Sequence, residues 1–340
     1  MKLAPRLAVL LLIFLLASMP GLIGQAPPSA GGAPGPAAAL VRNGPTVHAV
    51  SINFDSGKIL EPARMVSDGD FHRQPDWSFD GKYLSYVNNN PQQRRSIKIL
   101  SMDSGEVREI VPTMDFFEWP RWSPDGRSFI IHDGTGTIQQ VDVQTGQSAV
   151  VIPRDPSMLR YFPQWMPDGR RIVFGRSELD KAGKEINETI VEFDLQSGKE
   201  RDLFRGEMDP RSLSVSPDGQ FLAGIHIDVV RKQSSLLLIP IPAGQPVREL
   251  LRLDQFGGQF TTWTPNGASL LFTKDNQDIQ AIETWIVSLA TGQKKLIDLG
   301  GYGHRGLRVQ PGGEQVVFWL PGVAQVRAME NSPPAPAANK

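Results

Sequence analysis

The chain has 340 residues, 40% of them hydrophobic, with 35 Lys plus Arg against 36 Asp plus Glu and a formal net charge of −1. That length suits one large domain or two ordinary ones, and the charge balance excludes a general nucleic-acid binder, which would be basic. The lack of cysteine excludes disulfide staples, thiolate metal sites and cysteine nucleophiles.

Residues 1–26 read as a signal peptide. Lys2 and Arg6 supply the charged start, Leu7 to Ala17 an apolar run, and Gly24-Gln25-Ala26 the small residues of a cleavage site. The run is short against the roughly 20 residues that span a bilayer. Export with cleavage is expected, with an uncleaved anchor as the alternative and the one route to a membrane. Residues 27–44 are a Pro/Gly/Ala-rich linker, and 330–340 are a tail of similar composition. Neither can bury enough apolar surface to fold.

Residues 45–329 read as one all-β domain. Residues 47–54, the turn Asp55-Ser56-Gly57-Lys58 and residues 59–66 give two strands with no pair before them. A short pattern then occurs six times. It reads PDWSFDGKYLSYV from Pro75, PRWSPDGRSFIIH from Pro120, PQWMPDGRRIVFG from Pro163, LSVSPDGQFLAGI from Leu213, TTWTPNGASLLFT from Thr261 and LRVQPGGEQVVFW from Leu307. Its glycines fall at 81, 126, 169, 219, 267 and 313, so successive spacings are 45, 43, 50, 48 and 46 residues. Pro-Asp-Gly between two apolar runs is a hairpin turn: Pro presets φ, Asp bonds local backbone and Gly accepts positive φ. The Trp at 77, 122, 165 and 263 is expected to anchor neighbouring sheets.

A second turn follows at a fixed distance: DSGE at 103–106, QTGQ at 144–147, QSGK at 196–199 and ATGQ at 290–293, with IPAGQ at 241–245 as a variant. Each unit is therefore four antiparallel strands, A to D, and such units at 40–50 residues indicate a propeller. The expected fold is a six-bladed β-propeller of four-stranded antiparallel blades, acting as a monomer. The closing blade is shared between the N-terminal pair and a C-terminal pair at 307–310 and 315–320. A rival closure uses residues 323–329 as a third C-terminal strand.

The motif PxWSPDGxxIxF followed by a TG or SG turn resembles the WD40-like repeat of TolB-type propellers, over about residues 45–329. The TolB protein carries an α/β domain before its propeller, and prolyl oligopeptidases and dipeptidyl peptidases carry a hydrolase domain beside theirs. This sequence has no room for either. The resemblance implies a fold and an envelope setting more than a TolB role.

Antiparallel connectivity puts the tight A–B and C–D turns on one face and the longer B–C and D–A loops on the other. Variable loops on a rigid scaffold are where function usually resides, so the channel mouth on the loop face is the expected binding site. Four places before the Trp position stand Arg73, Glu118, Tyr161, Arg211, Gln259 and Arg305, and one place further back His72 matches His304. In a closed ring the His-Arg pairs of the first and last blades are neighbours, and Arg offers a bidentate fork to a carboxylate or phosphate. The competing reading is a rim of salt bridges to Glu118 and nearby acids.

His132 and His226, each followed closely by an acid, sit on non-adjacent blades, and His48 is expected to be a strand residue, so no metal site is expected. Asp80, Asp125, Asp168 and Asp218 belong to turns. No catalytic motif, no cofactor motif and no nucleophile elbow is present. The expected role is a non-catalytic module binding a protein or peptide in the cell envelope. The alternatives are a propeller lyase or hydrolase, and a sensor of small anions.

Overall fold

The computed structural model describes residues 44–321, apart from 229, 243, 254–259, 277–280 and 300–303. The signal peptide, most of the linker, the tail and the rival closing strand at 323–329 lie outside the described residues.

The described residues begin with β1 (Thr46–Asn53) and β2 (Lys58–Met65). Blade 1 follows as β3 (His72–Trp77), β4 (Tyr83–Asn88), β5 (Ser96–Ser101) and β6 (Val107–Ile110). Blade 2 is β7 (Glu118–Trp122), β8 (Ser128–His132), β9 (Ile138–Asp142) and β10 (Ser148–Ile152). Blade 3 is β11 (Met158–Trp165), β12 (Arg171–Leu179), β13 (Glu185–Asp194) and β14 (Glu200–Arg205). Blade 4 is β15 (Met208–Val215), β16 (Phe221–Asp228), β17 (Gln233–Pro240) and β18 (Arg248–Leu253). Blade 5 is β19 (Thr261–Trp263), β20 (Ser269–Asn276), β21 (Ala281–Ser288) and β22 (Lys294–Ile297). The last two strands are β23 (Arg305–Val309) and β24 (Gln315–Leu320), and they join the first two in a sheet of order β2-β1-β24-β23. The protein is a six-bladed, all-β propeller closed two-plus-two, with β1 antiparallel to β24 from Thr46 opposite Leu320 to Ser51 opposite Gln315.

The repeated turn shows why the strands start where they do. Ser78 Oγ donates to Asp80 Oδ1 at 2.6 Å, Asp80 Oδ1 also takes the Lys82 N–H at 3.1 Å, and Tyr83 N–H returns to Ser78 Oγ at 2.9 Å. Gly81 closes the loop at φ +70°, where a Cβ would meet the Pro311 carbonyl at 2.7 Å. Ser123-Asp125, Ser216-Asp218 and Thr264-Asn266 repeat the hydroxyl-to-carboxylate or hydroxyl-to-amide bond. The sixth copy departs from the repeat. Positive φ falls on Gly312 rather than Gly313. A Pro311-Gly312 centre has no side chain to lock the usual turn and takes the Pro-then-left-handed-Gly form.

The core lies between blades. Six buried apolar clusters each join two neighbouring sheets, and together they cover all six junctions of the ring. The repeated Trp is part of each junction it borders. Trp77 shares a cluster with Val317 and Trp319 of blade 6, and Trp122 with Val87 and Ile97 of blade 1. Trp165 shares a cluster with Ile130 and Ile138 of blade 2, and Trp263 with Ala223 and Ile225 of blade 4. Two indoles also donate to the preceding blade: Trp77 Nε1 to the Arg308 carbonyl at 3.3 Å and Trp263 Nε1 to the Ser214 carbonyl at 3.0 Å.

Candidate functional site

The inner strand of each blade lines the central channel, and in five blades its ladder breaks register just before the Trp position. The breaks lie between Arg73 and Asp76, Glu118 and Arg121, Tyr161 and Gln164, Asp209 and Ser214, and Arg305 and Arg308. The residue three before the Trp position is left-handed in four of these: Gln74 (φ +56°), Trp119 (+52°), Phe162 (+55°) and Gly306 (+66°). Such bulges re-aim side chains and are common beside functional sites. Non-glycine residues seldom adopt this φ, so three in one register are a conformation the ring imposes.

At the mouth the structure brings Arg73 and Glu118 together. Arg73 Nη2 donates to Glu118 Oε1 at 3.0 Å, Arg95 Nη1 reaches the same oxygen at 2.8 Å, and the Gln74 amide contacts Oε2. Burial alone would push the Glu118 carboxyl up, but the two guanidinium groups and the amide hold it below the usual carboxylate range. Gln74 Oε1 in turn accepts the Trp119 N–H at 3.0 Å. Arg95 is held by Asn89 Oδ1 at 2.6 Å and lies 4.4 Å over the Phe116 ring. Its place at the end of a B–C loop, outside the repeat register, hid it from the sequence reading.

The other expected residues that the structure describes have other partners. Arg211 makes a fork to Asp209 on its own strand, at 3.0 and 2.8 Å. The Tyr161 hydroxyl bonds the Ser177 hydroxyl, and burial raises the phenol's pKa. Arg305 lies 5.7 Å over the Trp319 ring, and Gln259 falls outside the described residues. Strand β23 does lie beside β3, as ring closure requires. Both matched histidines are buried in their own blades, however. His72 Nδ1 meets the Gly69 carbonyl at 2.9 Å and its ring stands edge-on to Tyr86, while His304 stands edge-on to Phe318. Burial pushes His304 down to about 4. His132, also pushed to about 4 by burial, packs 5.1 Å from Phe162. His48 stacks on Phe318 and His226 stands edge-on to Phe204.

Sequence reasoning missed an aromatic plug. Trp119 on blade 2 lies 5.8 Å from Phe162 on blade 3 and 5.5 Å from Phe260 on blade 5, on the opposite side of the ring. All three stand three places before the Trp position, one beyond the residues singled out. Reading that register down the repeat gives Gln, Trp, Phe, Ser, Phe, Gly, and the aromatic bias was the available signal. The mouth thus joins an aromatic cluster to the charged one, through the Gln74 bond to the Trp119 N–H. Two grooves of about 590 and 410 Å³ open instead on the tight-turn face, between blades 1 and 2 and between blades 4 and 5. Their carboxylates Asp80, Asp125 and Asp218 each accept a hydroxyl and a backbone N–H of their own turn, so these grooves follow from turn geometry.

Among the described residues no group of three or more His, Cys, Asp or Glu is placed to hold a metal ion, and no helix is long and apolar enough to cross a membrane.

The TolB β-propeller domain family matches residues 62–301, most of the described ring. The chain belongs to that family. In fold it is similar to a putative TolB from Agrobacterium tumefaciens, at 19% identity and a TM-score of 0.63, over 81% of this chain and 98% of that one. It is also similar to TolB from Acinetobacter baumannii, at 18% identity and 0.56, over 82% and 64%. An oligogalacturonate lyase from Vibrio parahaemolyticus shares the fold at 10% identity and 0.54, over 82% and 98%. Among curated relatives, an uncharacterized peptidase of Bacillus subtilis is 25% identical over 44% of this chain and 20% of its own length. An uncharacterized protein of Agrobacterium fabrum is 28% identical over 44% and 53%. The matched stretch thus spans about a fifth of the first and about half of the second.

Proposed function

We propose that this TolB-family propeller is an exported, non-catalytic binding module that takes a protein segment or peptide of the cell envelope at the loop-face mouth. The observation that carries the reading is the meeting of an aromatic and an arginine-rich cluster at the loop-face mouth. An aromatic cluster of Trp119, Phe162 and Phe260 lies beside the point where Arg73 and Arg95 converge on Glu118. Aromatic residues and arginine are the residue types enriched at protein interfaces and among their hot spots. Export to the periplasm or outside the cell rests on the charged start and short apolar run of residues 1–26. A shared fold with a lyase at 10% identity supports no chemistry here.

Site-directed photo-crosslinking in the source cell tests the reading. A crosslinker at Asp115, fully exposed on the loop face next to Arg94, should give a discrete adduct with one envelope protein. The same probe at Thr145 on the turn face should not. Equal adducts at both positions, or none at either, would reject the loop-face site.

A further inference from the structure

Beyond the aromatic cluster lies a second ring of side chains, one place before the Trp position. It consists of Asp76, Arg121, Gln164, Ser214, Thr262 and Arg308, one from each blade. Part of this ring stitches the inner strands sideways. Asp76 Oδ2 accepts the Trp122 N–H of the next blade at 3.1 Å, and Thr262 Oγ1 accepts the Val309 N–H of the next blade at 3.2 Å.

The junction of blades 6, 1 and 2 is different. Arg121 Nη1 lies 3.2 Å from Asp76 Oδ1, and Arg308 Nε lies 3.5 Å from the same oxygen. Two buried guanidinium groups therefore share one carboxylate. Their side chains are 5% and 9% exposed, and the remaining members of the ring are uncharged. One positive charge is left over on this ring, and the Trp119 ring lies 5.5 Å from the Arg121 guanidinium on the mouth side. Arg308 Nη1 is satisfied by the Leu307 carbonyl at 2.7 Å, but Arg308 Nη2 and Arg121 Nε have no hydrogen-bond partner among the described residues. A buried charge is stable only when paired and hydrogen-bonded, and a buried N–H donor without an acceptor is costly.

We infer that Arg121 and Arg308 bind a small monovalent anion in the channel, of the size of a halide or formate. It would balance the surplus charge and accept from the two donors. Size follows from the setting: both guanidinium groups are buried, and the Trp119 ring lies over Arg121. Charge follows from the two-to-one ratio of guanidinium to carboxylate. The site is separate from the mouth and does not depend on any partner docking there.

Crystals of the mature protein grown in sodium bromide test this directly. An anomalous bromide peak within about 3.5 Å of Arg121 and Arg308 is expected, longer than a charge-assisted bond to oxygen because bromide is larger. Thermal unfolding with chloride, bromide or formate exchanged for gluconate at constant ionic strength gives the second reading. Each small anion should raise Tm by about 5 °C over a hundredfold concentration range, as preferential binding to the folded state requires. Arg308→Gln should lose that gain. A map with bromide only on surface arginines, or an equal Tm gain in the variant, would overturn the site. If the variant does not fold, the bromide map alone decides.

Discussion

At the scale of single residues, the two histidines pushed to about 4 make a quantitative claim. His132 and His304 are both neutral and buried, and desolvation is the main cause in each. An unfolded chain binds a proton on each near pH 6.5, whereas the folded chain resists until about pH 4. The folded-state pKa is depressed, so this contribution is fully present above pH 6.5 and is lost as pH falls towards 4. Each histidine can withdraw up to about 3 kcal/mol across that window. His132→Phe, which keeps an aromatic ring against Phe162, should flatten the pH dependence by about one proton. Urea unfolding of both forms at pH 7, 5.5 and 4.5 measures it. Parallel curves would mean that His132 is solvated in the folded state. Nothing in the sequence announced this burial. His132 reads as the end of a B strand followed by an acid, and its contact with the bulged Phe162 of the next blade forms only in the ring.

At the scale of the strand, the repeat was legible where its chemistry is local. Pro-Asp-Gly turns and the second Gly turn act within a few residues, and the first five Pro-Asp-Gly-type turns fall where the pattern put them. The Trp anchors were legible because they recur in the same register, although they act between blades. The bulge was not legible, because it is a property of neighbouring inner strands. Trp119 and Phe162 at positive φ contradict their own preferences, and the ring imposes that conformation through contacts such as the Gln74 bond to the Trp119 N–H. The same register holds a glycine in blade 6, where a Cβ would stand 3.0 Å from Trp319 Cδ1 and 3.1 Å from its Nε1. Gly306→Ala should therefore cost about 2–3 kcal/mol, backbone strain plus displacement of a packed indole. Gly126→Ala is the control: its φ is +70° but nothing lies within 4 Å of the added methyl, so about 1 kcal/mol of backbone strain is expected alone. Denaturant midpoints of the two variants separate packing from strain. Equal losses would show that the indole gives way freely.

At the scale of the whole ring, pairing between distant segments decides both stability and site. The six-fold count and the shared closing blade could be read from the order of turns, since a C–D pair at the start and an A–B pair at the end complete one unit. The contents of the channel could not, because Asp76 meets Arg308 only through that closure. Closure also removes the two sheet edges an open ring would expose. Strand β1 buries Val47, Val50 and Ile52 completely or nearly so, and β2 covers its outer edge. Those three side chains alone contribute roughly 5–9 kcal/mol. Deleting residues 44–66 should therefore lower Tm by more than about 10 °C, at roughly 2–4 °C per kcal/mol for a domain of this size. The loss should also be global. Blade 6 packs on blade 5 through one cluster and on blade 1 through another, so removing half of it opens both junctions at once. Hydrogen exchange distinguishes a global loss from a frayed end: amides of β12 in blade 3, across the ring from the deletion, should lose protection along with those of β24. Retained protection in β12 with an unchanged Tm would mean that the five complete blades hold the ring without its closing pair.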